Sequence, residues 1–166
     1  MTKFLRTAAA AAVLTFATAA AAAPTSVSNG PVQAHAAIVK PLTLTKLSDI
    51  DFGSIVVQDN GTVTMDTAGN ITCPATLTCA ATGTAAGYKV TGTNNQIVQI
   101  TKPDVTLTNA ANPGTPLTLV LSGPTSVTLP NSGTTGTTFN LGGSMAIAAT
   151  TKDGTYVGDL NVTVNY

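Results

Sequence analysis

Apolar and polar residues alternate with a period of two along most of the chain. The clearest case is the last stretch, where Leu160, Val162, Val164 and Tyr166 fall on one face and Asp159, Asn161, Thr163 and Asn165 on the other. That period is the mark of a strand with one covered and one wet face. A large aromatic on the apolar side at Tyr166 asks for a covering partner, in the same chain or in another. Shorter alternating or apolar runs recur upstream. They lie at residues 36–45, interrupted by Pro41, and at residues 55–57, 62–65, 88–91, 97–100, 105–108, 117–121 and 127–129. Phe139, Leu141, Met145 and Ile147 share a parity with Gly142 and Gly143 between them, which predicts a bulge or a close backbone approach. Asp59-Asn60-Gly61 reads as a turn, and Asp153-Gly154 as a tight hairpin leading into the terminal strand. No run beyond the N-terminal segment has helical periodicity with caps. About eight to ten short strands, spaced by roughly 8–12 residues, predict an all-β antiparallel sandwich, with a closed barrel second. With seven aromatics in all, girdles for an outer-membrane barrel are missing.

The N-terminus changes the picture of where this domain works. Lys3 and Arg6 precede an apolar run of about sixteen residues over 8–23, short of the roughly 20 a spanning helix needs. The expectation is an export signal over residues 1–23, a flexible segment over 24–35 and one β-domain over 36–166. Without the signal, five lysines face seven aspartates, and no arginine or glutamate remains. So sparse and slightly acidic a chain lacks the basic face that nucleic acid requires. In an oxidising compartment the only two cysteines, Cys73 and Cys79, read as a disulfide. Closing so short a loop is worth about 2 kcal/mol. A metal site would need further ligands, and a redox pair usually has two intervening residues.

Candidate chemistry is thin, and the expectation is a non-catalytic protein with no cofactor. His35 is the one histidine and lies near the expected mature N-terminus. Asp49, Asp51 and Asp59 sit in turn-like contexts rather than in a dense calcium-ligand series. Tyr88 and Tyr156 read as packing residues before sugar platforms. The Asn-x-Thr triplets at Asn60, Asn70 and Asn161 match the glycosylation pattern, as chance allows in a chain rich in both residues. Val32, Ala34, Ala36 and Ile38 also alternate, either as a leader or as a strand to be donated to a partner.

Pro41, Leu42 and Leu44, then Asp51-Phe52-Gly53, then Gly61-Thr62-Val63, and the closing run from Gly154-Thr155-Tyr156 through Gly158 to Val162-Thr163-Val164-Asn165-Tyr166, carry a resemblance. This series resembles the bacterial exported family called domain of unknown function 4402 and, more distantly, the spore-coat-U and chaperone–usher pilin group. The resemblance implies an immunoglobulin-like, pilin-like sandwich in the periplasm, at the cell surface or outside the cell. It further implies a structural or assembly subunit of an appendage or coat, which self-assembles or meets a periplasmic chaperone by β-strand addition. The strand bearing Leu160, Val162, Val164 and Tyr166 would then close the fold or serve in assembly. Pilin disulfides usually tie distant strands, whereas Cys73 and Cys79 enclose a local loop. The alternative role is a self-contained secreted or periplasmic domain that binds glycan or envelope components.

Overall fold

A computed structural model describes residues 30–131 and 135–166. The expected export signal lies outside the described residues. The chain divides into two units, Met1–Ala36 and Ala37–Tyr166. In the first, residues 30–36 are exposed and form no strand.

The second unit is all-β and antiparallel. Among the described residues there is no helix, and thirteen strands follow in order. They are β1 (Thr43–Ser48), β2 (Ile55–Val57), β3 (Gly61–Met65), β4 (Ile71–Thr72), β5 (Leu77–Cys79), β6 (Ala86–Thr91) and β7 (Ile97–Thr101). Next come β8 (Val105–Asn109), β9 (Leu117–Ser122), β10 (Ser126–Thr128), β11 (Thr137–Ile147), β12 (Tyr156–Val157) and β13 (Thr163–Asn165). β-Branched Thr, Val and Ile dominate them, as suits a pleated, half-covered surface.

Three sheets result. The largest has the order β1-β6-β11-β9-β8-β12, with β3 also on β11 and β4 on β3; the others are β10-β7-β13 and β2-β5. The long β11 is the spine. Its first half pairs with β6, Thr137 opposite Val90 through Leu141 opposite Ala86, and its second half pairs with β3 and β9. Gly142 and Gly143 mark the change of partner. A Cβ on Gly142 would collide with the backbone of Met65 and Asp66, and one on Gly143 would crowd Leu119 and the Val120 carbonyl. The pair is therefore a close backbone approach. The irregular register falls elsewhere, in β1 between Lys46 and Ser48.

Period-two alternation along β11 feeds two apolar clusters from one face. Phe139 and Leu141 pack with Ala86, Tyr88 and Val90 of β6, Val98 and Ile100 of β7, and Leu129. Met145 and Ile147 pack with Val63, Met65, Leu107, Leu119, Leu121 and Phe52. Tyr88 and Phe139 are cross-strand neighbours with ring centroids 5.5 Å apart. Burial of Tyr88 pushes its phenol pKa up from the ordinary value. Half-buried Ile50 and Leu160 touch both clusters.

Polar side chains hold the turns. Between β3 and β4 the Asp66 carboxylate accepts hydrogen bonds from the Asn70 side-chain amide (2.7 Å) and from the backbone N–H groups of Ala68 (2.8 Å) and Asn70 (2.9 Å). Those donors, the Asn70 amide first, hold its pKa below the usual carboxylate range. Buried Asn109 donates from Nδ2 to the Asp153 carbonyl (2.9 Å) and accepts at Oδ1 from Ala111 N–H (3.0 Å). Gly154 lies against that amide with φ of +135°, where a Cβ would be both strained and in collision with it.

Several boundaries differ from the sequence reading. The first strand begins at Thr43, not near Ala36, and residues 37–42 lie outside any strand but for Leu42 at the threshold of β1 being half-buried. Pro41 has no N–H to give a ladder. The terminal strand is only Thr163–Asn165. Thr163 faces Thr101 across the ladder, so the register would bring Asn161 to Pro103, where no amide donor exists. Asp153-Gly154 is not a hairpin: β12 pairs with β8, not with β11, and the turn that ends β11 is closed by Thr151 N–H to the Ala148 carbonyl at 2.9 Å.

Candidate functional site

The site is built around the last residues of the chain. β13 pairs with β7 through Thr163–Thr101, Val164–Ile100 and Asn165–Gln99. The strand is thus covered by its own chain along one edge. It ends the order of its sheet, so among the described residues its other edge carries no strand. Leu160, Val162 and Val164 are half-buried rather than fully buried, and Tyr166 remains 43% exposed. Of the four, only Val164 lies within β13.

Tyr166 is nevertheless held at its tip. Its hydroxyl accepts from Thr93 N–H at 2.7 Å and donates to the Lys40 carbonyl at 2.6 Å. Lys40 N–H donates in turn to Thr93 Oγ1 at 2.6 Å. This clasp joins three places far apart in sequence: the lead into β1, the turn after β6 and the last residue. Tyr166→Phe is expected to lower unfolding free energy by about 1 kcal/mol, since water replaces the hydroxyl at an exposed backbone pair. A urea midpoint unchanged from the parent protein would show that the clasp carries no stability.

Beside the terminal segment runs a groove. One part, of about 830 Å³, lies between residues 49–57, which include β2, and residues 151–158, which include β12. Core residues Leu107, Leu119, Met145 and Ile147 form its floor. A second part of about 200 Å³ adjoins it, lined by Lys46, Ala86 and Tyr88 among others. The two parts share Asp49, Ile50, Gly158 and Leu160, so these residues separate one from the other. Val56 and Val157, one on each wall, are 58% and 61% exposed. At the rim Lys46 Nζ donates to Asp49 Oδ1 at 2.9 Å, and this hydrogen bond and charge raise the Lys46 pKa. The pair is exposed on both sides.

Cys73 and Cys79 form a disulfide with Cα atoms 6.0 Å apart. Cys73 follows β4 and Cys79 ends β5, so the bond ties the largest sheet to the β2–β5 pair that walls the groove. A short loop in sequence is thus a link between sheets.

Other candidate residues lie apart. His35 is exposed in the N-terminal unit, together with Val32, Ala34 and Ala36. Asp51 bridges to Thr84 through its backbone and caps Gly53 N–H with its carboxylate; Asp59 caps Asn60 N–H. Among the described residues no three His, Cys, Asp or Glu side chains gather as a metal group. Tyr88 is core, while Tyr156 lines the groove and donates its hydroxyl to the Lys152 carbonyl at 2.9 Å. The groove itself was not foreseen from the sequence. Its signal was there in Ile55-Val56-Val57: three apolar residues in a three-residue strand put one on the face away from the core.

A single class covers these features: an all-β antiparallel domain with a local disulfide and no helix among the described residues. Residues 42–166 match the family described as Domain of unknown function (DUF4402), and the chain belongs to that family. No curated protein and no solved structure matches it.

Proposed function

We propose that the Ala37–Tyr166 unit is an immunoglobulin-like, pilin-like β-sandwich of an exported protein, and that it serves as a non-catalytic structural or assembly subunit of a surface appendage or coat. Assembly would proceed by β-strand addition between copies or with a periplasmic chaperone. Support for a sandwich comes from the cluster in which Val98, Ile100, Val127 and Val164 of the β10-β7-β13 sheet pack with Tyr88, Val90, Phe139 and Leu141 of the large sheet. The disulfide is consistent with an oxidising compartment. The observation that carries the assembly reading is the terminal strand β13, whose outer edge has no strand partner among the described residues, together with the groove of aliphatic floor between β2 and β12. Exposed sheet edges are where extended segments add.

Fractionation of cells that express the full-length protein tests this. Particles or filaments larger than a monomer, seen by size and by negative-stain imaging in envelope or extracellular fractions, are the expected result. Monomer alone in every fraction, with no co-purifying partner, overturns the proposal. One observation favours a second reading, a self-contained domain for glycan or envelope components. β13 is already paired within its own chain, and the groove rim offers Asp49, Asp51, Asp153 and Tyr156 to a polar ligand. That reading predicts monomer that refolds cooperatively without an added strand.

A further inference from the structure

We propose that the Cys73–Cys79 disulfide is a redox-sensitive latch on the β2–β5 wall of the groove: oxidation closes the wall onto the core, and reduction loosens it. The inference goes beyond the assembly reading and does not depend on it.

The wall is weakly held by its own secondary structure. β2 and β5 pair through Ile55–Cys79, Val56–Thr78 and Val57–Leu77, and among the described residues neither pairs with another strand. Two strands of three residues do not hold together unaided. What seats them is packing on one side. Leu77 is buried, and Ile55, Val57 and Cys79 are half-buried against the cluster that holds Leu107, Leu119, Met145 and Ile147. Val56 points the other way and is 58% exposed.

Hydrogen bonds do little to fasten the middle of this wall to the large sheet. The Gln58 and Asp59 N–H groups both donate to the Thr76 carbonyl, at 3.1 and 3.0 Å, which ties the pair to itself. Other polar ties lie beyond the ends of β2. Before it, Asp51 and Thr84 exchange backbone hydrogen bonds of 2.8 and 2.9 Å; after it, Asn60 Oδ1 accepts from Ala149 N–H at 2.8 Å. The disulfide acts inside that span. Cys73 directly follows β4, which is paired with β3, and Cys79 ends β5 opposite Ile55. Breaking the bond leaves β5 joined to β4 only along the chain.

The chemistry allows the bond to change state. Both cysteines are half-buried rather than sealed in the core, so a thiolate has an approach. Closing the latch consumes a second disulfide. One cysteine thiolate attacks it to form a mixed disulfide, the other cysteine displaces the partner, and two electrons and two protons leave as the partner's thiols. Reduction by a dithiol is the reverse. Its effect should be local, because Cys73 and Cys79 pack against the cluster under the groove and not against the one around Tyr88 and Phe139.

Hydrogen exchange of the full-length protein, oxidised and then treated with dithiothreitol under native conditions, tests this. Reduction is expected to speed exchange in residues 55–58 and 77–79 by at least about tenfold, while β6 and residues 137–141 of β11 keep their protection. Nile red, a neutral apolar dye, should brighten with the reduced form and dim on reoxidation as the aliphatic floor is uncovered and covered again. The double variant Cys73→Ser with Cys79→Ser should show the reduced behaviour without reductant. A bond that dithiothreitol leaves intact in the folded protein overturns the proposal. So does exchange that is unchanged everywhere. Exchange that rises equally at the wall and in β6 overturns it as well, since that marks a general staple. If the double variant does not fold, the dithiothreitol experiment decides, and complete unfolding there counts against the latch.

Discussion

Removing residues 159–166 is expected to yield a chain that does not accumulate as folded protein. The deletion takes away β13, and with it the cover over one edge of β7, where Val98 and Ile100 are buried. Leu160, Val162, Val164 and Tyr166 would each contribute roughly 1.5–3 kcal/mol if fully covered. The first three are half-buried and Tyr166 is 43% exposed, so their sum is nearer half of that maximum, about 3–6 kcal/mol. The Tyr166 clasp adds about 1 kcal/mol. Newly exposed Val98 and Ile100 add to the loss. Since a domain is stable by about 5–15 kcal/mol, the deletion removes most or all of the margin. Soluble yield, far-UV circular dichroism and thermal unfolding check this. A truncated protein melting within a few degrees of the intact one would show that β13 is an accessory strand.

How much of this was legible beforehand depends on which question is asked of a residue. Period two tells which way a side chain points, and it did so for Tyr88 and Val90, Val98 and Ile100, Leu119 and Leu121, and the whole of β11 from Phe139 to Ile147. It says nothing of which strand lies alongside. Hence Asp153-Gly154 reads as a tight hairpin leading into the terminal strand, although Tyr156 and Val157 just after it pair with Asn109 and Thr108 of β8. The governing contact there is the Asn109 side chain, which grips Asp153 across 44 positions of sequence, and no local pattern reports such a bond. Two-residue strands such as β4 are too short for any alternation to register. β5 was hidden for another reason: its Leu77-Thr78-Cys79 lies inside the cysteine loop, which read as a staple, so the strand that braces β2 went unseen. The groove follows from those missed pairings, because its walls are β2 and β12. Domain of unknown function 4402 was recognisable from the Asp51-Phe52-Gly53 and closing motifs, and the match over 42–166 agrees. What those motifs could not give was the depth of burial at Tyr166, which depends on an edge that only the sheet order reveals.

Gly142→Ala is expected to be strongly destabilising for a single methyl addition, costing about 1–3 kcal/mol. The reason lies in what the new methyl would meet. At Gly61 the nearest atoms belong to the Leu77 and Pro74 side chains rather than to backbone. At Gly142 they are the backbone of Met65 and Asp66, which is committed on both sides. Met65 sits in the β3–β11 ladder opposite Gly143, and Asp66 begins the turn whose donors converge on its carboxylate. Relief therefore has to come from β3 and β11 parting, with loss of the close fit around Val63 and Met65, which are 0% and 2% exposed. Gly114→Ala provides the contrast. Nothing lies within 4 Å of a Cβ there, and the change should fall within about 0.5 kcal/mol of neutral. Urea unfolding of the two variants side by side reads the difference as a shift in midpoint with the slope retained. Amide exchange should localise it, with Val63 and Met65 losing protection before residues of β1. Equal midpoints for Gly142→Ala and Gly114→Ala would mean that β11 does not pass so near the β3 turn. The consequence reaches the groove, because Met145 and Ile147, two and four residues past the tight Gly142–Gly143 step, form part of its floor. A β11 displaced from β3 would shift that floor, so the cost of Gly142→Ala extends from the β3 turn to the groove.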